Sequence, residues 1–197
     1  MTRAVPVGTG GDPDTGAGFL LHQVGPNGSM ASDAQFGLAL TSLWHTVSEA
    51  GGAVGFAPGT ARPDVARRSA ALLDGIRRGS IDAIAVTSDR TLVGVAVLRA
   101  GTGVIAHTGE VGPVMVDPGL QGSGLGAVLM DAVLRLARVR GLERLSLSAR
   151  DGHRLPEFYR RFGFVEWGRR PGWVRVAGAE APGGPDDRDE IFLSVTL

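Results

Sequence analysis

Three glycines stand at alternate positions, Gly122, Gly124 and Gly126, between a β-branched run and an apolar run with helical spacing. A glycine loop that joins a strand to a helix favours anion binding. The first amides of a helix lack intrahelical acceptors, and the helix dipole adds about half a positive charge there. Glycine also lets the backbone approach a phosphate without a Cβ in the way. We therefore expect a pyrophosphate-bearing cofactor at this loop, and the alternative is a connection that binds nothing.

The composition of the chain excludes several other chemistries. The chain has no cysteine, which rules out disulfides, thiolate metal sites and cysteine nucleophiles. All basic residues are arginine, so the lysine of a P-loop nucleotidase is missing, and the histidines show no metal-ligand spacing. The formal net charge is zero, which gives no general argument for nucleic acid or an anionic membrane as partner. No segment has the apolar length of a signal peptide or a membrane span, so the expected location is the cytoplasm.

The elements that must position the loop follow from hydrophobic periodicity. The predicted order is β-α-α-β-β-β-α-β-α-β-β, which is typical of an α+β domain whose mixed, mostly antiparallel sheet is flanked by helices. Residues 1–16, rich in Gly, Pro, Asp and Thr, are expected to be a disordered tail, and residues 17–197 a single domain. A Pro/Gly/Asp-rich insertion is expected at 178–189. Strands are predicted at 19–24, 83–88, 91–100, 110–117, 142–149, 164–170 and 190–197, and helices at 33–49, 63–78, 124–140 and, shorter, 156–163.

The string Gly122-x-Gly124-x-x-Ala127 also satisfies the dinucleotide-binding pattern GxGxxG/A, and Asp151 lies near the end of the next predicted strand, where such folds bind a ribose. The order of elements argues against a dinucleotide site. After Asp151 the chain has only one short predicted helix and two strands, which leaves no room for further βαβ repeats. The residues before the loop do not supply the missing half of such a fold.

The six residues QGSGLG, from Gln121 to Gly126, resemble the (Arg/Gln)-x-x-Gly-x-(Gly/Ala) signature of the GNAT superfamily of acyl-CoA-dependent N-acyltransferases. The resemblance includes the preceding VMVDP, the amphipathic helix and strand that follow, and FYRRFGFVEWGR in the place of the second cofactor motif of that family. The longer string LPEFYRRFGFVEWGRRPG is similar to the subgroup that includes tabtoxin-resistance-type acetyltransferases. The resemblance implies the GNAT acyl-CoA N-acyltransferase fold.

Carried onto this sequence, the resemblance implies where coenzyme A binds. Met115 and Val116, on the strand before the loop, would pair with the pantetheine arm like a neighbouring strand, and a backbone N–H near Val116 would face the thioester oxygen. Gly112 and Pro113 would mark a bulge that opens the acceptor cleft. The pyrophosphate would be held by the backbone amides of Gln121, Gly122, Ser123, Gly124, Leu125, Gly126 and Ala127.

The same resemblance implies the catalytic side chains. Acyl transfer from a thioester needs an amine that has lost its proton, and it benefits from a proton donor beside the departing thiolate. Tyr159, the only tyrosine, stands where the family often has this general acid, and its alternative is a core aromatic. Glu110 stands where the subgroup often has a glutamate that faces the acceptor, as a general base, and its alternative is a solvated carboxylate. The loop 51–56 would line the acceptor pocket, with an apolar wall formed by Trp44, Phe56 and Trp173.

The predicted function is transfer of an acetyl group from acetyl-CoA to a primary amine of a small molecule. Direct attack in a ternary complex is expected, because no cysteine exists to carry the acyl group. Acetylation of protein amino groups and a non-catalytic acyl-CoA-binding module are the alternatives. No metal is expected, and a homodimer paired through the final strands is one candidate assembly. The sequence leaves the identity of the amine and the length of the acyl group open.

Overall fold

The computed structural model describes residues 5–6, 18–152, 154–175 and 187–197. In this part of the chain one eight-stranded sheet has the strand order β1-β2-β3-β4-β5-β6-β8-β7. Neighbouring strands are antiparallel except β5 and β6, which are parallel. The strands are β1 Val5–Pro6, β2 Phe19–Val24, β3 Ile81–Ser88, β4 Thr91–Ala100, β5 Thr108–Val116, β6 Arg144–Arg150, β7 Val165–Val174 and β8 Arg188–Thr196, and the helices are α1 Ala34–Glu49, α2 Arg62–Arg77, α3 Leu125–Val139 and α4 Leu155–Arg160.

The predicted fold class, a mixed and mostly antiparallel sheet flanked by helices, is confirmed. Every predicted helix and strand occurs, with bounds that differ by a few residues, and β7 extends furthest beyond its prediction. The predicted tail 1–16 lies outside the described residues except for Val5–Pro6, which pairs with β2. The predicted insertion at 178–189 also lies largely outside them. In the described part of the chain, no helix is both long and apolar enough to cross a membrane.

Two hydrophobic cores lie on the two faces of the sheet. Side chains of β4 alternate between them: Val95 and Val97 pack towards α1 and α2, whereas Ala96 and Leu98 pack towards α3. Because β4 is buried on both faces, its sequence is a nearly continuous apolar run instead of an alternating one. The two cores fix α1 and α2 on one side of the sheet and α3 on the other.

Helix α1 has local signals at both ends. The carboxylate of Asp33 caps the first turn by accepting a hydrogen bond from the N–H of Gln35 at 2.8 Å. The chain leaves the helix through Gly51, whose φ of +77° is a conformation that glycine adopts easily. The loop that leads from α1 to α2 therefore starts at a defined point, and this loop borders the candidate site.

Helix α3 packs closely on the centre of the sheet. Its residues Leu125, Leu129 and Val133 are fully buried. A Cβ on Gly94 of β4 would lie only 3.1 Å from Leu129 Cδ1, so the glycine permits the close approach of the helix. This contact fixes the N-terminus of α3, and with it the glycine loop, beside the end of β5.

Candidate active site

Strands β5 and β6 separate from each other part of the way along the sheet. Their parallel pairing runs from Thr108 opposite Arg144 to Glu110 opposite Ser146. Beyond Glu110, β5 stays paired with β4, while β6 stays paired with β8 as far as Arg150. A gap that is open at the carboxyl ends of both strands therefore divides the sheet.

An irregularity in β5 coincides with the start of this gap. Val111 lies opposite Leu98 of β4, but Val114 lies opposite Ala96, so the two residues Gly112 and Pro113 face a single residue of β4. This arrangement is a β-bulge, as predicted from the Gly-Pro pair, and a bulge bends the strand that carries it. The bend directs β5 away from β6.

The backbone of β5 offers hydrogen-bonding groups to the gap. The N–H of Asp117 donates to the carbonyl of Val93 in β4 at 2.9 Å, and Met115 lies opposite Val95 in the same register. Since backbone groups alternate in direction along a strand, Met115 faces β4, whereas Val114 and Val116 turn their N–H and C=O groups towards the gap. The side chain of Met115 is also fully buried. The backbone groups of Val116 thus face the gap, whereas those of Met115, the other residue predicted to bind the pantetheine arm, face β4.

Val114 takes the edge position that Met115 does not fill. The sequence motif does not single out Val114. The Gly112-Pro113 pair is the signal that could have identified it, because a bulge at this pair changes which residues of β5 turn their backbone groups towards the gap. At the other end of the exposed edge, the carbonyl of Val116 accepts a hydrogen bond from Gln121 Nε2 at 3.3 Å. The side chain of Gln121 therefore ties the start of the loop to the strand.

The glycine loop presents unpaired amides at the N-terminus of α3. Within the described residues, the N–H groups of Gly122, Gly124, Leu125 and Gly126 donate to no protein acceptor. The remaining three amides of the predicted set have partners: Ser123 and Gln121 donate to turn carbonyls at 3.3 and 3.4 Å, and Ala127 donates to Gly124 at 3.0 Å. The anion-binding capacity is therefore concentrated in four amides.

Two of the glycines are required by backbone conformation. Gly122 has a φ of +83°, and Gly124, the N-cap of α3, has a φ of +92°. These left-handed values are costly for residues with a Cβ. A Cβ on either residue would meet no protein atom within 4 Å, so the space above them is open. Gly126 differs, because a Cβ there would lie 3.4 Å from the ring of Phe158 in α4.

The contact between Gly126 and Phe158 sets α4 beside the glycine loop, and the next residue of α4 is Tyr159. The Tyr159 ring is 9% exposed and packs edge-on against Phe158 and Phe164, with ring centroids 5.1 and 6.0 Å away. Burial raises the pKa of Tyr159 to about 12. Its hydroxyl therefore stays protonated well into the alkaline range, and it has no hydrogen-bond partner in the described part of the chain. The core alternative therefore describes its ring, and the hydroxyl is not committed to a protein acceptor in the described part of the chain.

Glu110 lies at the last paired position before β5 and β6 separate. Its side chain is exposed, and it lies across from Arg99 of β4. Burial lowers the pKa of the Arg99 guanidinium, while the negative charge of Glu110 opposes this effect. Arg99 also donates to the carbonyl of Gly112 in the bulge. The predicted base and the bulge are thus linked through one arginine.

A cleft of about 290 Å³ opens on the α1–α2 side of the sheet. Residues 52–53 and 55–58 of the loop between α1 and α2 form one wall. The remainder is lined by Ser148, Ala149, Arg150, Val174, Arg175 and Glu190. Ser148 and Arg150 belong to the part of β6 that has separated from β5. The cleft therefore borders the part of β6 that has separated from β5.

The predicted apolar wall of this cleft is only partly present. Phe56 lines it, and Trp44 contacts Phe56 edge-on at 5.8 Å from within the core. Trp44 is 2% exposed, and its indole N–H donates to the carbonyl of Val54 at 2.9 Å, so it supports the loop without lining the cleft. Trp173 is 65% exposed, with the Arg170 guanidinium 5.0 Å from its ring centroid. The sequence therefore did not distinguish Phe56, which lines the cleft, from Trp44, which supports the loop, or from Trp173, which is exposed.

The dinucleotide alternative is incompatible with this architecture. The sheet lacks the doubly wound parallel order of such folds, since β5 and β6 are its only parallel pair among the described strands. Asp151, the candidate ribose-binding residue, is engaged by Arg169 at 2.8 Å and by the N–H of Gly152 at 2.8 Å. The glycine loop is therefore not part of a dinucleotide-binding site.

Comparison with known proteins agrees with this geometry. The model of the acetyltransferase (GNAT) family matches residues 56–164, more than half of the chain. A mycothiol acetyltransferase from Beutenbergia cavernae is 42% identical over 61 residues, which cover 30% of this chain and 20% of that protein. The match thus spans about a fifth of the length of that relative.

Solved structures share the fold at low sequence identity. A ribosomal-protein-alanine N-acetyltransferase from Brucella melitensis superposes with a TM-score of 0.66 at 20% identity, covering 82% of this chain and 94% of that one. An acetyltransferase from Salmonella typhimurium, solved with its cofactor acetyl-CoA, superposes with a TM-score of 0.66 at 19% identity, covering 84% and 90%. The separated strands, the glycine loop and the matched family model lead to one conclusion: the chain belongs to the acetyltransferase (GNAT) family.

Proposed function

We propose that this protein transfers an acetyl group from acetyl-CoA to a primary amine of a small molecule, by direct attack in a ternary complex. The observation that carries the proposal is that two binding features are continuous. The unpaired amides of the glycine loop lie next to the exposed edge of β5 at Val114 and Val116, and these amides belong to Gly122, Gly124, Leu125 and Gly126. A pyrophosphate suits the amides, and an extended arm with amide groups suits the edge.

The residues present fit coenzyme A. The four amides supply donors for a pyrophosphate, and Gly122 and Gly124 leave open space above the backbone. Along the edge, Val116 lies nearer the loop and Val114 nearer the point where β5 and β6 separate. Acetyl-CoA supplies an activated acyl group as a thioester. The Val114 N–H is the donor that we assign to the negative charge developing on the carbonyl oxygen, and Val116 helps to hold the arm.

Two side chains supply the proton transfers. Glu110, exposed at the start of the gap, accepts the proton that the amine must lose before attack, directly or through water. Tyr159, whose pKa burial raises to about 12 so that it stays protonated well into the alkaline range, donates towards the departing thiolate. No cysteine is present to carry the acyl group, which supports direct transfer over a covalent enzyme intermediate.

The cleft beside the loop between α1 and α2 is the site that we assign to the amine. At about 290 Å³ it suits a small molecule, and it meets the gap at Ser148. The tabtoxin-resistance-type subgroup remains a prediction from the sequence, as do the single domain over residues 17–197 and the homodimer through the final strands.

Release of free thiol from acetyl-CoA, measured with a panel of primary amines, tests the proposed function. The protein has no cysteine, so the enzyme itself contributes no background thiol. Amine-dependent release that produces the N-acetylated amine is the expected result. Release with peptide amino groups only would move the acceptor class to proteins. Binding of acetyl-CoA without thiol release across the whole panel would favour the non-catalytic binding module.

A further inference from the structure

Arg150, the residue that ends β6, carries an unbalanced charge at the cleft. Its side chain is 9% exposed, and Nη2 donates to the carbonyl of Gly51 at 2.7 Å. Nε is buried without a hydrogen-bond partner, and Nη1 has no acceptor within the described residues. One of the five guanidinium donors is therefore used by the protein, while the residue lines the cleft.

The other charged residues of the cleft have partners of opposite sign. Arg175 pairs with Asp187 at 3.6 Å, and Glu190 pairs with Arg170 at 3.3 Å. In the described part of the chain no carboxylate lies within ion-pair distance of Arg150. Burial and, to a smaller extent, the like charge of Arg188 lower the pKa of Arg150. The cleft thus has excess positive charge at this arginine.

A buried cation without a counter-charge is unfavourable, because no partner offsets the loss of its hydration. Such a cost is acceptable where a ligand supplies the missing charge. The planar guanidinium matches a carboxylate in shape and donor spacing. Ser148, two residues earlier on the same face of β6, lines the cleft nearer the gap, so a ligand at Arg150 would extend towards the gap where the amine must react.

We propose that Arg150 is the specificity-determining residue of the acceptor site and that the acceptor is a primary amine bearing a carboxylate, an amino acid or a close relative. This inference rests on the proposed function, since it names the class of amine that the acetyltransferase accepts. The alternative is that Arg150 serves only to anchor the loop between α1 and α2 through Gly51.

Substrate triplets test the inference in the wild-type enzyme. Each triplet contains an amino acid, its carboxamide and the amine that lacks the carboxyl group, and thiol release gives kcat/KM for each. We expect the amino acid to be preferred by roughly 10- to 100-fold within its triplet, the loss typical of removing one charge-assisted hydrogen-bonded partner. Equal kcat/KM across the triplets would overturn the inference and leave the proposed acetyl transfer intact.

Variants of Arg150 distinguish recognition of the substrate carboxylate from anchoring of the loop between α1 and α2. Arg150→Gln is expected to abolish the preference for the carboxylate, and Arg150→Lys to restore part of it. Arg144→Gln, which removes an exposed arginine of the same strand that does not line the cleft, should retain the preference. If Arg150→Gln lowers kcat/KM equally for all three members of a triplet, the residue is only an anchor and the inference is wrong.

A binding measurement separates this inference from the proposed function. Calorimetric titration of the same triplets into protein loaded with coenzyme A reports acceptor binding without turnover. Carboxylate-selective binding that Arg150→Gln abolishes would support the subsite even if no amine releases thiol, a result that would overturn only the proposed function. Binding of the amino acid that is no tighter than binding of its carboxamide would contradict the subsite whether or not turnover occurs.

Discussion

The single tyrosine of the chain makes the ionisation of Tyr159 directly measurable. Ultraviolet absorbance of tyrosinate should rise with a midpoint near pH 12 in the folded protein, because burial raises this pKa from the ordinary value of 10.0. The pKa of Tyr159 is higher in the folded protein than in the unfolded chain. The contribution of this difference to the free energy of unfolding is therefore complete below about pH 10 and is lost as the pH rises through about 12. A midpoint near 10 while the protein remains folded would contradict the buried environment.

Removal of the hydroxyl alone tests Tyr159 as the general acid. Tyr159→Phe keeps the ring contacts with Phe158 and Phe164, so the fold and the affinity for acetyl-CoA should be unchanged. We expect kcat to fall by about 100-fold or more, the usual contribution of a positioned proton donor. Steady-state rates from neutral to alkaline pH measure this change. An unchanged rate with an unchanged alkaline limb would return Tyr159 to the status of a core aromatic.

Glu110 is tested against a carboxylate outside the gap. Glu110→Gln should lower kcat/KM by about 100-fold, because the amine then has to lose its proton to water alone. The matched control is Glu157→Gln in α4, whose carboxylate pairs with Arg160 at 3.4 Å and should be dispensable. The measurement is kcat/KM as a function of pH for both variants. Wild-type rates for Glu110→Gln at every pH would mean that the base lies elsewhere.

At the scale of elements, the connection between β5 and α3 depends on left-handed glycine conformations. Gly124→Ala puts a Cβ at φ +92° within the proposed pyrophosphate cradle, whereas Gly103→Ala puts one at φ +60° in the loop at the opposite end of β5. Both residues have open space around the added Cβ, so each substitution should cost about 1 kcal/mol of stability through backbone strain.

The two alanine variants should differ in cofactor binding. We expect Gly124→Ala to weaken the affinity for acetyl-CoA by about 10-fold or more, since the cradle is both strained and narrowed, while Gly103→Ala binds like the wild type. Isothermal titration gives the affinities, and thermal unfolding provides the stability comparison. Equal affinities in the two variants would show that the loop is only a connection.

At the scale of the whole molecule, a ligand that spans β5, the glycine loop and α3 should stabilise the entire domain. Acetyl-CoA or coenzyme A at a hundred times its dissociation constant should add about 2.7 kcal/mol, a shift of a few degrees in Tm. NADPH should produce no shift, because the sheet lacks a dinucleotide-binding topology. Thermal unfolding with each ligand measures this. Stabilisation by NADPH, or by none of the three, would contradict the assignment of the loop to coenzyme A.

Features that depend on neighbouring residues could be predicted from the sequence. Asp33 and Gly51 delimit α1, and the glycines before α3 mark a strand-to-helix connection, because capping and positive φ are local backbone preferences. Hydrophobic periodicity likewise predicted helices α1–α4 and strands β2–β8, each to within a few residues of its observed bounds. Together these local signals determined the order of the elements and the fold class.

Features that join distant parts of the chain were decided only by the tertiary structure. The bulge in β5 sets which backbone groups face the gap, and it exchanges Met115 for Val114 at the edge. The burial that raises the pKa of Tyr159 comes from α4 packing on the sheet. Arg150 reaches Gly51 across 99 residues of sequence to form the cleft. Such contacts depend on how the elements pack against one another, and neither local propensity nor periodicity encodes that packing.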